Sequence, residues 1–278
     1  MITPLVNFTA TETFTATFTN IRRMLPGLIA VSLFGSTIFA DQFPAAEGDI
    51  EITPIVHSSV QLTYQGTVIQ VDPWGVLGTD IMQAADLIIV TDSPGHHLDA
   101  EAIAALRNPG SSVVTPNNGL PALPDAIAME IGDIARIASV TVEAIAAYDI
   151  IPGAPEHPYG DANGYVLTIG GKRLFFAGVT ECVDEVKSLE DIDVAFMPMN
   201  IPPARMTPEA AAECTRIIDP EVVYTYHYDQ DWSRRLANPD IEGRELPNGL
   251  TVAQTLDAFE AALAGSGIEF RRGNWYPE

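Results

Sequence analysis

The sequence predicts a layered α/β (α+β) domain, and three observations predict it. Short runs of apolar, β-branched and aromatic residues alternate with segments of helical apolar periodicity, as where Leu87-Ile88-Ile89-Val90 is followed by Asp99 to Leu106. No stretch recurs at a fixed period, so a solenoid is excluded. The 278 residues are 47% hydrophobic, enough for a full core. They fit one compact domain of about 230 residues preceded by an extension.

Residues 1–47 are expected to be that extension, and 48–278 the domain. Ile21-Arg22-Arg23-Met24 followed by the apolar run Leu25 to Ala40 reads as a secretory signal over about residues 21–40: a basic start, an apolar centre, and a small residue before Asp41. The run is short of the roughly 20 apolar residues that a spanning helix needs. Cleavage near Ala40 is the expectation, with a periplasmic or secreted product. Ile38, where a small residue is usual, leaves an uncleaved anchor as the alternative. The Thr-rich residues Met1 to Asn20 lie upstream of the signal and read as an over-long start.

After a polar, Pro-containing spacer, Ile52 to Ile55, Ser59 to Tyr64 and Thr67 to Val71 read as strands of a meander with a turn at Gln65-Gly66. His57 sits at the first junction, and Asp72-Pro73-Trp74 ends the third strand. Leu87 to Val90 is a buried strand. Asp99 to Leu106 is a helix, and Ser112 to Thr115 a further short strand. Strands near Ala128 to Ile131 and Val140 to Ile145 lead to a Pro- and Gly-rich loop, Ile151 to Gly160, which carries His157. Asn163 to Leu167 and Arg173 to Ala177 form a hairpin about Gly170-Gly171. Val183 to Leu189 is a short helix and Val194 to Met197 a strand. Thr207 caps a helix that opens on Pro208 and runs to Ile218. Val222 to Tyr228 is a strand containing His227. A helix from Val252 to Ala264 and a strand from Ile268 to Arg271 close the chain.

A formal net charge of -23 makes nucleic acid and anionic membrane improbable partners. Lys172 and Lys187 are the only lysines, a balance that suits a high-salt habitat as well as an ordinary acidic secreted protein. Cys182 and Cys214 are too few for a disulfide framework, and Cys214, within a helical pattern, reads as core.

The chemistry concentrates in Thr91-Asp92-Ser93-Pro94-Gly95-His96-His97-Leu98-Asp99. Side chains at a strand terminus are held by the sheet yet face an open crevice, and adjacent imidazoles there are candidate ligands for a divalent metal. The stretch resembles the metal-binding loop of the metallo-β-lactamase superfamily, whose usual form is Thr-His-x-His-x-Asp-His followed by Leu-Asp. Asp92 and Gly95 are similar to an ascorbate-6-phosphate-lactonase-like branch, while Pro94 and His96 depart from it. The segments Met206-Thr207-Pro208-Glu209, Val222-Val223 and His227-Tyr228 resemble the same branch. The resemblance implies a four-layer αββα sandwich and a metal-dependent hydrolase.

Mapped onto these positions, the superfamily's first metal site retains at most Asp92 and His157, and Val179 replaces the carboxylate that bridges two metals. His97 and His227 keep ligand positions of the second site, and His96 replaces its Asp. The resemblance therefore implies one divalent metal, zinc by its ligands, held by His96, His97 and His227, with a water activated at a fourth position. Asp92 or Asp72 would orient that water or take its proton; Asp72 is also read as orienting the loop backbone. For His157 two readings stand open, metal ligand and surface loop histidine. His57 is read as a satisfied half-buried histidine. Trp74, Asn200, Tyr224 and Tyr226 are candidate pocket-lining groups.

The expected function is a secreted hydrolase with a mononuclear site, acting on an ester, lactone, amide or phosphoester of a small-molecule substrate. One alternative is a non-catalytic, metal-free binding protein that keeps the fold; another is covalent catalysis through Cys182. No organic cofactor is expected, nor a membrane partner after signal cleavage. Oligomeric state is not legible.

Overall fold

The computed structural model describes residues 40–152, 156–200, 205–229 and 249–275, all within a unit spanning Ser36–Glu278. Residues 1–39, with most of the signal-like segment, lie outside the described residues. No helix among those described is long and apolar enough to cross a membrane.

Two sheets of seven strands make the centre of the described fold. The first takes β1 (Asp41–Ala45), β2 (Gly48–Val56), β3 (Ser59–Tyr64), β4 (Thr67–Val71), β5 (Ala85–Ile89), β6 (Arg107–Thr115) and β7 (Ile127–Ala128) in chain order. The second takes β8 (Ile134–Ile137), β9 (Val140–Ala147), β10 (Ala162–Ile169), β11 (Lys172–Phe176), β12 (Val194–Pro198), β13 (Val222–Tyr226) and β14 (Glu269–Phe270). In each sheet the first four strands pair antiparallel and the last four parallel. The two halves follow one plan although no repeat is visible in the sequence. Helices α1 (Ala100–Leu106), α2 (Asp184–Lys187), α3 (Pro208–Ile218) and α4 (Val252–Leu263) lie in the connections of the parallel halves.

Strand periodicity decides the layering. Along β12, Val194 and Phe196 enter a core between the sheets with Ile52, Leu87, Tyr165, Phe176 and Tyr224. Ala195 and Met197 point the other way, into a core shared with Ala211, Ile218 and Phe259 of the helices. In β5, Leu87 and Ile89 face the partner sheet while Ile88 joins Ile103 and Leu106 of α1. Strands buried on both faces read as unbroken apolar runs. The result is helix on sheet on sheet on helix, the expected αββα sandwich.

Differences from expectation have local causes. Asp41–Ala45 is already a strand paired with Gly48–Val56, so the sheet starts before the boundary at residue 48. Pro44 obscured it, and is tolerated because β1 is an edge strand. Ile134–Ile137 is a strand that sequence reading missed, and Ile134 is 68% exposed. Cys182 and Cys214 form a disulfide. This corrects the reading of Cys182 as a candidate nucleophile, since a bonded sulfur has no thiolate to attack with.

Candidate metal centre

Strands of both sheets deliver their C-terminal ends to one edge, and the polar residues of interest follow those ends. His57 comes after β2, Asp72 after β4, Thr91 and Asp92 after β5, and His227 after β13. Two backbone hydrogen bonds join the sheets there, from the His227 amide to the His57 carbonyl at 3.0 Å and from the Asn163 amide to the Thr91 carbonyl at 2.9 Å. Gly178, at φ 68, passes so close that a Cβ would lie 3.0 Å from the Asn163 carbonyl oxygen and 3.3 Å from Thr91 Cβ. No other residue fits that approach without displacing backbone.

The loop after β5 is short and tightly tied. The Pro94 carbonyl accepts both the His97 and Leu98 amides at 2.8 Å, making the turn that presents the imidazoles. Asp99 caps α1 through Oδ1, which accepts the Glu101 and Ala102 amides at 3.1 Å. Its Oδ2 accepts the Gly75 amide at 3.0 Å, tying the loop after β4 to the same helix.

Four imidazoles converge. His57, His96, His97 and His227 each offer a ring nitrogen, and these atoms all lie within 4.8 Å of one another. His57, His97 and His227 are buried, while His96 is half-buried, so solvent reaches the group from its side. The Trp74 ring stands beside it, 6.1 Å from the His96 ring and 5.7 Å from that of His57.

A carboxylate backs two of the rings. Asp72 Oδ2 lies 2.7 Å from His97 Nδ1 and accepts the Thr91 hydroxyl at 2.6 Å, while its Oδ1 accepts the Thr91 amide at 2.7 Å. Both oxygens are engaged and the side chain is fully buried, so Asp72 orients His97 and the loop. Asp229 Oδ1 lies 3.1 Å from His57 Nδ1, and burial pushes the Asp229 carboxyl up to about 8.

With its Nδ1–H directed at Asp72, His97 presents an Nε2 lone pair, and His227 Nε2 stands 3.1 Å from it. Two nitrogens on one tetrahedral zinc, each about 2.0–2.1 Å from the ion, lie about 3.3 Å apart. Buried His227 Nδ1 has no hydrogen-bond partner among the described residues. Burial first, and then the three neighbouring imidazoles, push His227 well below the usual histidine range, so it is neutral and able to ligate. The donor set fits a metal ion, and its chemistry selects the kind: imidazole suits zinc, copper, iron and nickel, whereas magnesium and calcium take oxygen.

His157, for which the sequence left ligand and loop roles open, lies outside the four-histidine group. Its Nε2 is 3.3 Å from Asp92 Oδ2 and its Nδ1 3.2 Å from Arg205 Nη2. Burial opposes ionisation of Asp92, but the His157 ring beside it and the Ser93 amide together hold its carboxyl below the ordinary value. Val179 packs with Ala147 and Ala162 in a small apolar cluster. Tyr226 donates no side chain to the pocket, because its hydroxyl accepts the Gly178 amide at 2.6 Å inside the core. The Tyr224 hydroxyl donates to Asp41 at 2.8 Å.

Sequence reasoning missed His57 as a member of the cluster, and missed Asp229 and Arg205 altogether. A signal for His57 existed, a histidine between a strand end and Ser58-Ser59. What exposes it is the backbone: His57, Asp72 and His227 take φ values of 56, 43 and 56°. Non-glycine residues hold that region at a cost of about 1–3 kcal/mol each, and such positions gather at functional sites.

An αββα sandwich with a histidine cluster at the joint edge of its sheets defines a class of metal-binding domains. The model of the β-lactamase superfamily domain matches residues 51–227, and the chain belongs to that family, the metallo-β-lactamase superfamily. It is 27% identical over 225 residues to a Thermus thermophilus protein of the UPF0173 metal-dependent hydrolase group, covering 72% of this chain and 97% of the relative. The crystal structure of a protein named as a metal-dependent hydrolase from Parabacteroides distasonis is similar at a TM-score of 0.72 with 32% identity, covering 86% of this chain and all of that one. A metallo hydrolase of Ignicoccus hospitalis shares the fold at a TM-score of 0.59 and 19% identity, over 82% of this chain and 95% of that one.

Proposed function

We propose that the chain is a metal-dependent hydrolase that works with one divalent ion, zinc by its donor set, held by His96, His97 and His227, with His57 beside them as a neighbouring imidazole that leaves a fourth position for water. Its substrate is a small molecule with an ester, lactone, amide or phosphoester bond. The observation that carries this reading is the pair of Nε2 atoms of His97 and His227, 3.1 Å apart, with the His97 ring turned by a buried carboxylate. The names of the Thermus and Parabacteroides relatives support the same activity.

A divalent ion on such a site supplies Lewis acidity and a water acidified to a pKa of about 7. The residues of the chain do the rest. Asp72 and Thr91 fix the His97 tautomer, and Asp229 positions His57. Asp92 stays ionised and is the proton acceptor of this reading. His96 and Trp74 line the side open to substrate. The Cys182–Cys214 disulfide supports a periplasmic or secreted location, because such bonds persist in oxidising compartments.

Elemental analysis of protein purified without chelators tests the proposal, with His96→Ala and His227→Ala beside the unaltered chain. About one equivalent of metal, lost in both variants, is expected. No metal in the unaltered chain, with folding indifferent to chelation, would instead favour a metal-free binding protein.

A further inference from the structure

Beside the four imidazoles lies a second buried polar group, formed by Asp92, Asp149, His157 and Arg205. Two carboxylates and an imidazole are in themselves a donor set for a cation. This group already contains one. The Arg205 side chain is 1% exposed. It donates through Nη1 to Asp149 Oδ1, and its Nη2 lies 3.2 Å from His157 Nδ1. Asp149 is in turn fixed by its own loop, since its Oδ2 accepts the Glu156 and His157 amides at 2.8 and 3.0 Å.

The chemistry of the guanidinium settles the histidine's tautomer. Arginine has donors and no acceptor. At 3.2 Å from Nη2, His157 Nδ1 must present its lone pair, because an N–H there would face an N–H. The competing partner of Nδ1, Asp149 Oδ1, is farther away at 3.5 Å and already receives Arg205. The ring proton therefore sits on Nε2, the nitrogen that lies 3.3 Å from Asp92 Oδ2. A protonated ring nitrogen cannot bind a metal.

We infer that Arg205 stands in for a second metal ion: it locks His157 as the Nε2–H tautomer, so that His157 and Asp92 hold each other and the chain takes one ion, not two. Arg205 is thus a positioning residue acting through His157. The inference rests on the proposed function only for the identity of the first ion; the tautomer stands apart from it.

Long-range 1H–15N correlation spectra of the metal-free protein read the tautomer directly, with His157→Gln identifying the signals. A proton on Nε2 is expected, and a shift toward Nδ1–H in Arg205→Met. Metal titrations run beside the spectra. The unaltered chain should take one equivalent, and His157→Gln should keep it with a loss well under the roughly tenfold that removing a ligand's hydrogen-bond partner produces. Arg205→Met should gain a second equivalent. An Nδ1–H tautomer in the unaltered chain, two equivalents bound to it, loss of its ion in His157→Gln, or a folded Arg205→Met that stays at one equivalent would each overturn the inference. Should Arg205→Met fail to fold, the spectra of the unaltered chain and the His157→Gln titration still decide. Should the unaltered chain bind nothing, the hydrolase reading falls while the tautomer continues to test this one.

Discussion

Around His97, hydrogen bonds lead outward from imidazoles to carboxylates behind them, and the opposite ring nitrogens turn inward on one another. Around Arg205 the direction is reversed: a cation sits inside, and Asp149, His157 and Asp92 are ordered about it. The first arrangement gathers lone pairs with no positive charge among them; the second is already compensated. Backbone strain follows the same division. His57, Asp72 and His227 have positive φ, whereas Asp92, Asp149 and His157 do not. The imidazole group is thus held partly on left-handed backbone, and the self-compensated group on ordinary backbone.

The largest effect that should separate the two groups is His97→Ala. It removes a ligand and leaves the fully buried Asp72 carboxylate without its imidazole. Loss of all bound metal is expected, with a stability loss of about 3–5 kcal/mol, the range for breaking a buried pair from one side. Metal analysis and denaturant melts check both parts; retention of the ion would show that His97 is not a ligand.

Cutting the disulfide should act on the other group. Cys182 ends the loop in which Glu181 accepts the Ile150 and Ile151 amides, and so holds the segment that carries Asp149. Its bond to Cys214 closes a separation of 32 residues, worth about 3–4 kcal/mol by chain entropy. Cys182→Ser with Cys214→Ser is expected to lower stability by that amount while metal affinity holds. A comparable loss of affinity would mean that the two groups are mechanically one.

Asp72→Asn and Asp229→Asn sharpen the comparison within the imidazole cluster. Losing a carboxylate behind a ligand histidine typically lowers metal affinity by about 10–100-fold. Asp72 lies at 2.7 Å and anchors Thr91 as well, so it should fall at the upper end. Asp229, at 3.1 Å and pushed up to about 8 by burial, is a weaker partner at neutral pH and should fall at the lower end. Competitive titration against a chromophoric chelator ranks them, and a larger loss in Asp229→Asn than in Asp72→Asn would reverse that order.

Most of the strands and helices were legible, because strands buried on two faces write themselves as apolar runs and because Asp99, Thr207 and Pro208 mark helix starts unmistakably. Pro44 hid β1, and the exposed Ile134 hid β8. In the site, His96, His97 and His227 stood out through their neighbours in sequence. His57 did not, since its role depends on the His227 amide reaching its carbonyl from the far end of the chain. Arg205 was invisible for a similar reason: an arginine in a Pro-rich loop gives no sign that it will be buried against Asp149. Nor could spacing alone pair Cys182 with Cys214, which meet because α3 packs beside the loop after β11.

The smallest expected effect bears on how the compensated group responds to acid. The folded-state pKa of Asp92 lies below its ordinary value, so the native chain binds this proton less readily than the unfolded chain does. Ionised Asp92 therefore contributes stability that is present above the ordinary carboxylate range and is lost as pH falls through its lowered pKa. Asp92→Asn should be less stable than the unaltered chain near neutral pH, and the gap should close on acidification. Denaturant melts of both proteins at intervals from about pH 7 to about pH 3 measure the gap across the carboxylate range. A gap independent of pH would place the contribution of Asp92 in packing rather than in its charge against His157.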